Sequence, residues 1–161
     1  MSKLHTCADL MNLVNKMTDE AAMLEHSNPE LSKKLNQVKG DLSKEVMDKF
    51  IDSDAFLFAA NILSESIRSG NSDRIPNIDS HFQLGPNLGA IVDVFEENGI
   101  TEFTLSAKDI DIYETCSKFI DAGCQIAGTK EVYLNHRGFG EKQNDRGLAF
   151  VFMIMFKTIE E

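Results

Sequence analysis

The chain opens with apolar positions at three- and four-residue steps. Leu10, Leu13, Val14, Met17, Ala21 and Leu24 share one face of a helix, and Thr6 with Asp9 has capping-box spacing. Ser27-Asn28-Pro29-Glu30 reads as a break and restart, with Asn28 as N-cap and Pro29 at the first helical position. Leu31, Leu35 and Val38 continue a narrower stripe that Gly40 is expected to end. Asp41 or Ser43 then caps a third helix bearing Leu42, Val46 and Phe50. Ser53-Asp54 opens a fourth or merely bends the third, with Phe56, Ala60, Leu63 and Ile67 inward and Gly70 as its left-handed stop. Residues 1–70 are thus expected to form a helical region, a bundle or hairpin packed on the C-terminal part of the chain.

From Gly70 to Gly85 the periodicity lapses, although Ile75, Ile78, Phe82 and Leu84 should pin the segment down, with a short strand around Phe82. Leu88, Ile91, Val92 and Phe95 mark a helix ended by Asn98-Gly99, and Glu102–Leu105 a strand. Ser106 and Asp109 suggest the start of a helix with Ile112, Cys116, Phe119 and Ile120 on its apolar side. Gly123 closes it, a strand comes next over 125–135, and a loop from His136 to Arg146 leads to a last strand over 148–157. Leu148 through Phe156 has no polar residue on either face. Such a strand should be central and covered on both sides, by helices or by another subunit. The expected fold is α+β, N-terminal helices plus a small mixed sheet of about three strands flanked by helices, with residues 71–161 as the sheet region of one compact unit.

Charge sharpens this picture. The 161 residues hold 16 Lys+Arg against 26 Asp+Glu, a formal charge of -10. Residues 50–99 contain eight acids and only Arg68 and Arg74 as bases. Such a field repels phosphate and attracts basic surfaces, which argues against direct duplex DNA binding and permits a protein partner with a basic, nucleic-acid-binding groove. Solubility alone is the blander reason for the acidity. No run is long and apolar enough for a membrane span, and the first residues lack the apolar stretch of a signal peptide. Three cysteines without a CxxC pair resemble reduced thiols, so a cytoplasmic protein is expected.

Candidate chemistry is sparse. No zinc-ligand spacing, nucleophile elbow, dinucleotide fingerprint or P-loop occurs, so no catalytic residue, cofactor or metal is nominated. His81, two positions after Asp79, is the one arrangement that invites an enzyme reading. Two sets of residues invite a partner-binding one. Asp41, Glu45, Asp48 and Asp52 recur at helical spacing and could mimic a row of phosphates, or simply be a solvated helix face. Arg137, Phe139, Lys142 and Arg146 concentrate cations and an aromatic in one loop of an otherwise negative molecule, a favourable anchor composition that a polar hairpin loop also tolerates. The apolar last strand adds a homodimer as a further candidate assembly.

The run Asn98-Gly99-Ile100-Thr101-Glu102-Phe103-Thr104-Leu105-Ser106, with Phe119-Ile120-Asp121-Ala122-Gly123, resembles small uncharacterised domains carried by plasmids and phages of Firmicutes. The resemblance spans Leu88–Val132 and carries over no functional residue. It implies a non-enzymatic binding protein of a mobile element, anti-CRISPR-like or otherwise anti-defence, that occupies the surface of a host enzyme. A regulatory protein-interaction domain of a plasmid or phage is the alternative, and a small enzyme with a site near His81 a third.

Overall fold

A computed structural model describes residues 2–80, 87–107, 110–134 and 145–155. The N-terminal region holds three helices, α1 (Lys3–Leu24), α2 (Pro29–Phe50) and α3 (Asp54–Ser69). Asn28 and Ser53 cap α2 and α3 by accepting from the Leu31 and Phe56 amides. Helix α1 begins earlier than its pattern suggests. Ser2, not Thr6, is its N-cap, and Leu4, Cys7 and Ala8 supply the buried end. Gly40 does not stop a helix: α2 runs through it, since one interior Gly costs only about 1 kcal/mol relative to Ala and α2 packs along α1. Ser32 fixes that packing by donating to the Ala21 carbonyl (2.6 Å). Lys3 meets Asp52, Asn12 meets Ser64 and Asp19 meets Arg68, so α1 and α3 run in the same direction.

Among the described residues, the remainder is a four-stranded mixed sheet with two helices. Strand β1 (Asn77–Ile78) is parallel to β2 (Glu102–Leu105); β4 (Arg146–Ile154) is antiparallel to both β2 and β3 (Cys124–Tyr133), in the order β1-β2-β4-β3. Helix α4 (Leu88–Glu97) links β1 to β2, and α5 (Ile112–Asp121) links β2 to β3. The protein is therefore α+β, with β4 central as its apolar run implies. Two-residue β1 is a strand the sequence does not announce; the strand expected around Phe82 lies outside the described residues.

Phe103 of β2, Phe152 of β4, Phe95 of α4 and Phe119 of α5 meet on one sheet face, with neighbouring centroids 4.9–5.8 Å apart. The core continues without a break into Phe56, Ile62 and Leu63 of α3 and Leu4 of α1. Cover of β4 is partial on both faces: Phe152 and Ile154 are buried on one and Ala149 on the other, while Leu148, Phe150, Met153 and Met155 are exposed. Phe95 of α4 and Phe119 of α5 cover the aromatic face at Phe103 and Phe152, and Phe150 and Leu148 stay open. Helix α5 also differs from its pattern, burying Thr115 and Phe119 and leaving Ile112 and Ile120 outside.

Candidate functional site

Asp41, Glu45 and Asp48 are exposed on α2. They do not form an unbroken negative row. Lys49 lies 2.6 Å from Glu45 and, by hydrogen bond and charge, holds that carboxyl below its usual range. Asp52, expected to complete the helical row, lies beyond the end of α2, where Lys3 reaches it at 3.3 Å. Arg146 begins β4 far along the sheet, its guanidinium over the Tyr133 ring at 4.8 Å. It donates to the Tyr133 hydroxyl (2.8 Å) and to Glu131 (3.3 Å), contacts that favour its cationic form. Arg137, Phe139, Lys142 and His81 lie outside the described residues.

What the fold assembles is a concavity that reading along the chain does not reveal. It opens where the start of α1 and the start of α3 meet α4, with a volume of about 680 Å³. Asp52, Asp93 and Glu97 line it, and Lys3 is the one cation among its described lining residues. Three local features build it. Ser53 caps α3 and holds Asp52 at the rim. The Asn98 side chain accepts from the Leu4 amide (3.1 Å), fastening α1 to the end of α4. Asp93 and Glu97, four residues apart, share one face of α4. Lys3 lies 4.9 Å from the Phe56 centroid while pairing with Asp52, so the cation is held against the wall.

A second polar group is internal. Asn77 receives a hydrogen bond from Thr104 (2.8 Å), donates through its side chain to Ser106 (2.9 Å) and through its amide to Ser66 (2.8 Å). Ser106 donates to Asp79 at 2.7 Å. All five residues are buried, and the network ties α3, β1 and β2 together. Ser106 is thus not the cap of α5; Asp111 is, accepting from the Glu114 amide. Among the described histidines, His5 bonds to Ser2 and to the Asp73 carbonyl and His26 is exposed, so no described imidazole activates the Ser106 hydroxyl. Among the described residues no three His, Cys, Asp or Glu side chains cluster as metal ligands, and no helix is long and apolar enough to cross a membrane. The three cysteines are free; burial pushes the thiols of Cys7 and Cys124 up to about 11 and raises that of Cys116, so none is poised as a nucleophile.

Residues 64–154, more than half of the chain, match a family described as a domain of unknown function (DUF7698). The match runs from within α3 to the end of β4. It contains the whole buried network and, of the three carboxylates lining the concavity, Asp93 and Glu97. No curated protein and no solved structure matches the chain.

Proposed function

We propose that this chain, which belongs to the DUF7698 family, is a non-enzymatic binding protein that offers its acidic concavity to a basic surface of a protein partner. One observation carries the reading. Asp52, ahead of α3, and the α4 pair Asp93 and Glu97 come from two separate stretches of chain and converge on a shared open recess with Lys3 as the sole cation among its described lining residues. Carboxylates lining a concave wall focus the field of a chain whose formal charge is -10, which speeds encounter with a cationic partner. A groove built for nucleic acid is the partner class with matching charge. The anti-defence version, a mobile-element protein occupying a host nucleic-acid enzyme in the cytoplasm, adds the likeness at residues 98–106 and three reduced thiols as its support.

The test compares capture of bacterial lysate proteins by the intact chain and by Asp52→Lys/Asp93→Lys/Glu97→Lys. A partner rich in Lys and Arg that the variant loses, and that rising salt releases, supports the proposal. Turnover of nucleotide or nucleic acid by the purified chain, or capture indifferent to the charge reversal, overturns it.

A further inference from the structure

Asn98-Gly99 is the one Asn-Gly step in the chain. Such a step is prone to spontaneous deamidation, because glycine has no side chain to keep its amide nitrogen from the neighbouring carboxamide. Here the step forms the end of α4. Gly99 takes φ +80°, and the Gly99 and Ile100 amides donate back to the Glu96 and Phe95 carbonyls at 3.1 and 2.9 Å, a Schellman closure. The Asn98 carboxamide is held at both of its polar atoms. Its Nδ2 donates to the Val94 carbonyl (2.8 Å) within α4, and its Oδ1 accepts from the Leu4 amide (3.1 Å) of α1. Leu4 is in the first turn of α1, so its N–H has no partner inside its own helix. Ser2 takes the His5 amide, and Asn98 completes the cap from another element.

We propose that Asn98-Gly99 is a self-modification site, gated by the docking of the first turn of α1 on the end of α4. Water or hydroxide takes the Gly99 amide proton, and the nitrogen attacks Asn98 Cγ. The N–Cγ bond forms, the Cγ–Nδ2 bond breaks, and ammonia leaves with a proton returned by water. A second water opens the cyclic imide at either carbonyl carbon, leaving an aspartyl or an isoaspartyl residue at position 98. Solvent has access, since Gly99 is exposed and nothing stands within 4 Å of its missing Cβ. The geometry withholds the reaction. The Gly99 N–H is engaged with Glu96, and the carboxamide can turn towards it only by leaving Val94 and Leu4. Bonds within a helix end fray readily. The bond to Leu4 instead ties that end to a second helix, through a residue whose side chain is fully buried. Release of α1 is therefore the gate. The isoaspartyl product adds a carbon to the backbone and breaks the spacing that the two closure bonds need. Either product puts a carboxylate where the neutral Asn98 lines the recess beside Asp52, Asp93 and Glu97. On the reading proposed above, that charge adds to the field offered to a partner; the modification itself is read by mass and stands without that reading.

The experiment incubates the full chain in mildly alkaline buffer, folded and in urea, and follows position 98 by peptide mass mapping. Ser2→Ala removes the α1 cap. Ser106→Ala weakens the buried network beyond the far end of β2, away from α1. Circular dichroism confirms that each variant is folded. Deamidation at position 98 should be at least about tenfold slower in the folded wild type than in urea. It should rise about threefold or more in folded Ser2→Ala, as the loss of a cap opens the first turn, and stay unchanged in Ser106→Ala. If Ser2→Ala fails to fold, hydrogen exchange of the wild-type Leu4 amide decides, since a local gate must open more often than the whole chain unfolds. Equal rates in the folded and unfolded wild type would overturn the proposal, as would equal acceleration by the two variants. So would a Leu4 amide that exchanges only through global unfolding, or no reaction at position 98 in urea.

Discussion

Phe103 and Phe152 stack across the β2–β4 pair, their ring centroids 5.3 Å apart and their planes 11° from parallel. Phe119 of α5 stands 4.9 Å from the first ring and 5.2 Å from the second. This triad is where the helical layer grips the sheet, and all three side chains are fully buried.

Phe152→Ala empties the centre of the triad. Removing a buried aromatic costs about 3–5 kcal/mol through lost transfer energy and the cavity left behind. Urea denaturation should show the midpoint falling with an unchanged slope. A loss below about 1 kcal/mol would mean that the aromatic face of β4 is not the centre of the core.

Two glycines should respond to alanine with opposite signs. Gly40 lies inside α2 with nothing near its missing Cβ, so Gly40→Ala should stabilise by roughly 1 kcal/mol. Gly70 ends α3 at φ +107°, and a Cβ there would stand 3.3 Å from the Tyr133 ring. Gly70→Ala should therefore destabilise by at least about 1 kcal/mol. Thermal melts of the two variants side by side give the comparison; a shift of the same sign in both would refute it.

Local signals in the sequence were legible where one residue type has one dominant use. Asn28 and Ser53 cap helices, Gly70 takes the left-handed position, and the unbroken apolar run of β4 places that strand at the sheet centre. Legibility failed where tertiary contacts decide. Gly40 has the look of a stop, but its cost is small beside the packing of α2 on α1. Strand β1 is two residues long and held by Asn77 and Ser66 side chains, so it has no period to read. Ser106 resembles a cap by spacing, yet its hydroxyl is committed to Asp79. The acidic recess needed α1, α3 and α4 to be placed in space before Asp52, Asp93 and Glu97 could be seen together.

Ser106→Ala probes the buried network. The substitution removes one hydrogen-bond partner from the Asp79 carboxylate and one from the Asn77 amide, both buried. Leaving buried polar groups short of a partner costs about 1–3 kcal/mol. Chemical denaturation should register that loss, and hydrogen exchange should show faster opening at the Ser106 amide, which donates to the Ile78 carbonyl. Stability equal to wild type would show that the network is not holding β1 in the sheet.

The buried thiols set an alkaline limit. In the unfolded chain Cys7 and Cys124 ionise near the ordinary value of 9.0, whereas in the folded chain burial raises both to about 11, with the charge of Glu96 adding to the effect at Cys124. Below pH 9 both states hold these protons, so the thiol contribution to stability is fully present. Between pH 9 and about pH 11 the unfolded chain loses protons that the folded chain keeps, and the free energy of unfolding must fall as pH rises. The urea midpoint should decline across that window, and less steeply in Cys7→Ala/Cys124→Ala than in the wild type. The same burial predicts slow reaction of both thiols with a disulfide reagent at pH 8, accelerated by denaturant, with half-buried Cys116 labelling first. Fast labelling of Cys7 or Cys124 in the folded protein, or identical pH slopes for the variant and the wild type, would show that these sulfurs are in contact with water.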